Sequence, residues 1–455
     1  MAKIIFSTIS GIPNSTKLPC FYEGMVNALV SHGNDVMLMI TNQFMEKLWT
    51  SNASKADIDK KKLDEAIMAF NPDLVITCNN SLYENLPKLV TCPIVVYGTD
   101  SPALFIDLPG LKRNSERYNF LMASEDFITM AKEYFGKKMR SLEMLYFATD
   151  FVAEKIEQDK NISFIGTDFH FSGVPFQDFI ISKDFTPQVK KDLKLFLESY
   201  KKDVLLDPKS HLKKLGLDSQ LLKKISHTDL LNLISSNFRM QTLQAVSDLG
   251  LSLYGSKTWR NHCDYSIDMA LAFVDEEISS AKENQDVYNS SKISINISHS
   301  QAGKAFSWRV RDIMACNSVL VSDPREDLVT QFGKYVKIPT YENAFEARKI
   351  CQKLLADQKW REEIIEGSQL AIEEAHRFKH RIKDIEQITG VALTSASSGI
   401  LTSLDANDFI WSPNTESGPV MVKIVAEKIW GKNGVIRSWR RQRRRERKQL
   451  KKIML

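Results

Sequence analysis

Cysteine is scarce in this 455-residue sequence, with six residues at positions 20, 78, 92, 263, 316 and 351. None has the paired spacing of a zinc site or a disulfide framework, so all are expected to be reduced thiols of a cytoplasmic protein. Long hydrophobic runs are missing too. No window approaches the roughly 18 consecutive apolar residues that a membrane-crossing helix needs, which argues against an integral membrane protein. The opening Met1 to Phe6 is apolar but breaks at Ser7, without a basic leader or a small-residue cleavage site, and reads as a first strand rather than an export signal. With 19 Gly and 14 Pro the chain has no room for extended low-complexity tracts. There is no His/Asp/Glu set at ligand spacing, so a metal-independent site is expected. There is no G-x-S-x-G elbow, which removes serine-nucleophile chemistry of that type.

What is present describes a folded α/β protein. Hydrophobic residues make up 43% and charged residues 26% of the sequence, and its length calls for two domains of roughly 150–200 residues each. The formal charge of +5 is unevenly placed: from Lys428 to Leu455 there are twelve Lys or Arg against Glu446 alone, leaving a tail of +11 and a body of −6.

The first 155 residues alternate apolar runs with helical patterns, the signature of βαβ units and a parallel sheet. Strands are expected at Ile4–Ser7, Val36–Ile40, Asp73–Thr77 and Pro93–Tyr97, with a helix around Phe21–His32 closed by Gly33. Ligand crevices of such sheets lie at the carboxyl ends of the strands, where Asn79, Asn80, Thr99 and Asp100 fall. A second series starts at Asn161–Gly166, continues through a helical insert at 183–249, and resumes with strands at Leu251–Gly255, Ile293–Ile297, Ser318–Val321 and Tyr335–Ile338. Residues 354–388 read as helical. The expected division is therefore an N-terminal Rossmann-like domain at 1–155, a second one at 156–390, and a linker with a basic amphipathic tail at 391–455.

The segment Tyr288-Asn-Ser-Ser-Lys-Ile-Ser-Ile-Asn-Ile297, followed by Ser307-Trp-Arg-Val-Arg-Asp-Ile-Met-Ala-Cys-Asn-Ser-Val-Leu-Val-Ser-Asp323, closely resembles the donor domain of the CgeB-like glycosyltransferases. Glu326, Asp327 and Phe332-Gly333 stand where that pattern has an acidic loop and an "F..G" element. Phe164-Ile-Gly166 and Leu253-Tyr-Gly-Ser-Lys-Thr-Trp259 are further family-like pieces. The resemblance covers about 161–350 well and the N-terminal half in outline. It implies a GT-B fold, two Rossmann-like doubly wound domains facing across a cleft, with a nucleotide-sugar donor bound in the second half and used as substrate, and with no cofactor. Two residues depart from the pattern: Asp312 replaces a Glu and Asn317 replaces a Gly, and Asn tolerates the left-handed backbone that Gly allows.

A sugar leaving a nucleotide needs fixed positive charge where the diphosphate anion develops. Arg309 opens an expected helix, Arg309–Cys316, where its guanidinium and the first helical amides can converge on phosphate. Asp312 on the same helix suits ribose or sugar hydroxyls. The alternative for both is an exposed helix face with a local ion pair. Lys257 and Arg260 add charge in a neighbouring loop. His299 is either a donor contact or a solvent-facing loop residue, Tyr254 either stacks near the base or belongs to the core, and Arg239 either reaches phosphate or lies on a helix surface. Gly166 and Gly255 permit close backbone approach or make turns. The loop from Gly11, after the first strand, faces the donor phosphates in GT-B enzymes but lacks a full glycine-rich fingerprint here. Asp100 is the candidate base for an inverting transfer, an acceptor-orienting group in a retaining one, or a cap on the next turn.

These residues point to a glycosyltransferase acting on a glycan, lipid-linked or protein acceptor in surface-polymer assembly. The alternatives are a non-catalytic GT-B-like binding or scaffold protein and, further off, a nucleotide-sugar epimerase. In the tail, Trp430, Ile436 and Trp439 interleave with Lys and Arg, the composition of a helix that lies on an anionic membrane surface, here the inner face of the cell membrane. Nucleic-acid binding or a solvated end would use the same residues. Removing Lys428–Leu455 should abolish partition onto anionic vesicles in a sedimentation assay; undiminished binding would rule out this role for the tail.

Overall fold

The computed structural model describes residues 1–10, 17–44, 58–105, 108–169, 185–200, 208–217, 223, 225–276 and 278–409. The loop beginning at Gly11 and the basic tail 428–455 lie outside the described residues. Strands β1 (Lys3–Thr8), β2 (Asp35–Ile40), β3 (Leu74–Cys78), β4 (Ile94–Gly98), β5 (Tyr118–Met122), β6 (Ser141–Met144) and β11 (Leu401–Ser403) form one sheet, in the order β11-β2-β1-β3-β4-β5-β6. Strands β7 (Lys160–Ile165), β8 (Leu251–Tyr254), β9 (Ser291–Asn296) and β10 (Val319–Ser322) form another, in the order β10-β9-β7-β8. Every pairing within both sheets is parallel. The fold is therefore α/β with two doubly wound sheets, and both belong to one compact unit, Met1–Ser54 with Asp64–Asp405. In the second unit, Lys55–Leu63 with Ala406–Leu455, the Asp59 amide donates to the Phe409 carbonyl at 2.7 Å.

Continuous apolar runs make the central strands because both faces of a parallel sheet are covered. Ile4, Ile5 and Phe6 are all fully buried, as are Leu74, Val75 and Ile76, so these strands show no alternation. The insert is helical in its described parts, at Pro187–Tyr200, Pro208–Lys214 and His227–Val246. The expected strand at Tyr335–Ile338 does not form. Its amides at 335 and 336 turn back onto the Phe332 carbonyl, and a lone bridge between Ser322 and Thr340 replaces it.

Two features join the halves. The chain crosses back after Ala375, and helix Phe378–Thr389 sinks Phe378, Ile382 and Ile385 into the core of the first sheet. Residues 391–403, expected as linker, then follow that sheet's edge. Asn34 Nδ2 donates to the Leu393 carbonyl at 2.7 Å, the Ser395 amide donates to His32, and β11 pairs with β2. From the other side, Trp308 reaches into the first core, stacked on Phe147 at 4.4 Å between centroids and edge-on to Tyr22 at 5.3 Å.

The carboxyl ends of β7 and β8 approach so closely that side chains are excluded. Gly255 has φ 142°, and a Cβ there would lie 2.1 Å from the Gly166 carbonyl oxygen, which also accepts the Trp259 indole N–H at 2.8 Å. Gly255→Ala should therefore cost about 2–3 kcal/mol, measured as a lower urea midpoint at unchanged m-value. A midpoint equal to wild type would show that the two strand ends can part freely.

Candidate functional site

In each sheet the first strand lies between the second and third, so the winding direction reverses beside it, and ligands of open α/β sheets bind at such switch points. In the second sheet the reversal falls between β7 and β9, whose last residues are Ile165 and Asn296. Arg309 spans that gap: Nε donates to the Ile165 carbonyl at 2.8 Å and Nη1 to Asn296 Oδ1 at 3.1 Å. Its guanidinium lies 5.0 Å from the Phe164 ring centroid, within cation–π range.

Asn296 is the hub of this end of the sheet. Its Oδ1 also accepts the Ser307 hydroxyl at 2.7 Å, its Nδ2 donates to Ser322 Oγ at 2.9 Å, and its carbonyl accepts the Tyr341 hydroxyl at 2.9 Å. Beside it Asp323, fully buried, accepts the Ser298 amide at 2.9 Å and Arg325 Nε at 2.7 Å. Sequence reasoning did not single out Asn296; the available signal was a polar residue just before the end of the expected strand Ile293–Ile297.

In the first sheet the reversal falls between β1 and β3. Asn79, immediately after β3, adopts φ 55°, a left-handed conformation that Asn tolerates. Its Oδ1 accepts the amides of Thr99 (2.8 Å) and Asp100 (3.0 Å), and its Nδ2 donates to Asp100 Oδ2 at 2.8 Å. Asp100 Oδ1 accepts Gln301 Nε2, from the other half of the chain, at 2.9 Å. Burial raises the Asp100 carboxyl above its usual range, while these two amide donors work against that rise.

Between the two switch points lies a cavity of about 1190 Å³, lined from the first half by Thr8, Asn79 and Asp100 and from the second by Ile165, His299, Arg309 and Asp312, among others. Asp312 sits one helical turn from Arg309. Burial lifts its carboxyl to about 7, against the Thr149 hydroxyl and the charges of Arg309 and Arg311. His299 also lines the cavity, but both ring nitrogens are taken. Nδ1 accepts the Gln301 amide at 3.2 Å, so Nε2 carries the proton toward Asn232 Oδ1 at 2.9 Å. Burial, reinforced by Arg239 and Arg325, pushes the ring down to about 3 and keeps it neutral.

Several sequence-based candidates lie elsewhere. Tyr254, 4% exposed, is a core residue, and neither it nor Gly255 lines the cavity. Lys257 is exposed and away from it, and Arg260 forms an ion pair with Asp275. Arg239 is neither a surface residue nor part of the cavity wall. It is 3% exposed, donates to the carbonyls of Thr167 and Ile297, and packs 4.2 Å from the Phe169 centroid. Gly166 lies just past β7 under the Arg309 guanidinium, where a Cβ would come 2.8 Å from Nη2.

Two details of the Arg309 helix differ from expectation. It spans Arg309–Ala315, and its early amides do not converge on the cavity: Val310 donates to Ser307 and Arg311 to Trp308, at 3.1 and 2.9 Å. Asn317 does not take a left-handed turn. Its side chain instead donates to the Glu154 carbonyl at 2.6 Å, and its amide donates to Asn289 Oδ1 at 3.0 Å, which ties the crossing segment to the second sheet.

Residues 238–387 match the glycosyl transferase-like family. That stretch holds Arg239, His299, Arg309 and Asp312, and ends before the return into the first core is complete. Among solved structures, the chain is similar to the sucrose-phosphate synthase of Thermosynechococcus elongatus, at 12% identity over 85% of this chain and 98% of that one, with a TM-score of 0.48. It is also similar to the Anabaena protein HepE in complex with UDP, at 11% identity over 86% and 100%, with a TM-score of 0.44. The T4 phage enzyme BGT in complex with UDP-glucose gives the same identity, coverage and TM-score. No curated protein matches the chain. Among the described residues no helix is long and apolar enough to cross a membrane.

Because the folded value of Asp312 lies above the ordinary carboxylate range near 4, the folded state holds this proton more tightly than the unfolded chain. Its contribution to stability is present at low pH and is lost as pH rises through about 7. Asp312→Asn should therefore gain melting temperature relative to wild type between about pH 5 and pH 8. A difference that stays constant over that range would show that the carboxyl is ionised throughout.

Proposed function

We propose that this protein is a glycosyltransferase that moves a sugar from a nucleotide-sugar donor, used as substrate without a cofactor, to a glycan, lipid-linked or protein acceptor. The observation that carries this reading is the placement of Arg309. A guanidinium held by neutral acceptors at a switch point faces a cavity large enough for a nucleotide sugar and an acceptor group. The family match over 238–387 supports the same reading.

In this mechanism the donor diphosphate lies against Arg309, whose charge meets the negative charge that grows on the leaving nucleotide. Asp312, on the same helix, accepts hydrogen bonds from ribose or sugar hydroxyls when ionised. Asp100 faces them from the first half and either takes the acceptor proton or orients the acceptor, according to the stereochemical course. A metal is not needed for this charge balance. The basic tail would hold the enzyme at the inner face of the cell membrane, near a lipid-linked acceptor.

The test uses the full chain and a panel of radiolabelled nucleotide sugars. One of them should raise the melting temperature and be hydrolysed or transferred. Arg309→Ala should lower turnover about 100-fold or more. Arg309→Lys, which keeps the charge but cannot fork between Ile165 and Asn296, should recover only part of it. Thermal unfolding checks that both variants fold. Turnover equal to wild type in either folded variant, or no nucleotide sugar bound by the wild type, would overturn the assignment; binding without turnover would make the protein a binding module.

A further inference from the structure

The segment 298–304 of the second half is anchored on three sides. Toward the helical insert, Ser300 donates its hydroxyl to the Leu231 carbonyl at 2.7 Å and its amide to Ser235 Oγ at 3.0 Å, and His299 meets Asn232. Toward its own sheet, the Ser298 amide is held by Asp323. Toward the first half, the Lys304 amide donates to Asp126 Oδ2 at 2.8 Å, and Gln301 reaches Asp100.

The Gln301 contact has an unusual balance. The amide presents Nε2 to Asp100 Oδ1, and its own Oε1 is then buried with no partner. A buried unpaired acceptor is costly. The segment is fixed from behind, which holds the amide in this orientation. Asp100 thus receives one amide N–H per oxygen, Asn79 on Oδ2 from its own sheet and Gln301 on Oδ1 from the opposite half. The other titratable groups facing it are the Tyr22 phenol and the Cys78 thiol, both pushed well up by burial and so neutral. Gln301 is therefore the one contact to Asp100 that comes from the opposite half, among the described residues.

We infer that Gln301 is a positioning residue for Asp100, holding its carboxylate in one orientation from the opposite half of the chain. The inference deepens the transferase reading and rests on it for the role of Asp100 in the reaction; its central measurement does not. A rigid second anchor leaves Asp100 one orientation toward an incoming acceptor. Without it the carboxylate keeps the Asn79 bond and loses the donor that opposes desolvation.

The experiment compares the full-length wild type with Gln301→Met, which keeps the volume without the donor, and Gln301→Glu, which places a second carboxylate there. The Asp100 carboxyl titration is followed by ¹³C NMR, assigned through Asp100→Asn. It should move to higher pH in Gln301→Met and further in Gln301→Glu. With the donor and acceptor found above, kcat should fall about tenfold or more, the size of a lost charge-assisted hydrogen bond. KM for the donor should stay within about twofold, and the acidic limb of the pH–rate profile should move up with the titration. An Asp100 titration unchanged in a folded variant would overturn the inference whether or not transfer is seen. A titration that moves in a protein that transfers no sugar would uphold the positioning of Asp100 and sink the transferase reading instead.

Discussion

A cation held only by neutral acceptors organises the second half of this molecule. Arg309 is fixed by a main-chain carbonyl and a side-chain amide, one from the last residue of each strand that flanks the switch point. No ion pair with a carboxylate compensates it among the described residues. Its nearest acidic neighbour on the helix, Asp312, is itself pushed toward neutrality by burial. The field at the strand ends therefore stays positive in a poorly screened place, which is the condition for binding an anion there. Much of the surrounding structure serves that arrangement. Asn296 holds its amide oxygen toward Arg309 because Ser322 and Ser307 fix the group from either side, and Gly166 leaves room for the guanidinium. Trp308, wedged into the first core, sets the direction in which the next residue leaves the helix start.

The two aspartates of the cavity show how environment separates groups of one type. Asp100 accepts two neutral amide N–H groups, one on each oxygen, and faces no cation at hydrogen-bond distance. Asp312 lies near two arginines yet is buried deeply enough for desolvation to win, so its charge changes near neutral pH. Pairs of carboxyls in unlike surroundings are a usual way for one site to present both a fixed orienting group and a titrating one.

Most of the fold legible in the sequence lay where burial is nearly uniform, although β5, just as buried, was missed. β1, β3, β4, β7, β9 and β10 are apolar runs because both faces of each are covered, and their carboxyl ends placed Asn79, Asp100, His299 and the Arg309 segment near one another in advance. β6 and β11 escaped notice because edge strands are partly exposed: Ser141–Met144 and Leu401–Ser403 carry no apolar run. Tyr335–Ile338 misled for the opposite reason, since its apolar residues pack against the core of the second sheet without a strand to pair with. Among site residues, position was readable and engagement was not. His299 sits just past a strand end and Arg239 on a helix, as their neighbours suggested, but nothing local shows that both His299 nitrogens are taken, or that Arg239 is buried on two carbonyls. Gln301 was invisible because its partner is 201 residues away. Asn317, which stands in the sequence where a turn glycine is usual, proved to be a tether to Glu154, a role that depends on a segment more than 160 residues earlier.

The same tether belongs to the passages that join the halves. The chain passes between the sheets twice, near residues 145–160 and again near 376–378, and the passages are bonded to each other: the Thr149 amide donates to the His376 carbonyl at 2.9 Å, and Arg377 donates to the carbonyls of Thr149 and Phe151. Asn317 and Asn289 bind the first passage to the second sheet, while Phe378 and Ile382 bind the second passage to the first core. On the cavity side, polar contacts between the halves include Asp100 with Gln301, Asp126 with the Lys304 amide, and Glu23 with the Ala281 amide at 3.1 Å. Thr149 belongs to the crossing and its hydroxyl also meets Asp312, so the paired crossings that join the halves reach directly to the titrating carboxyl of the cavity.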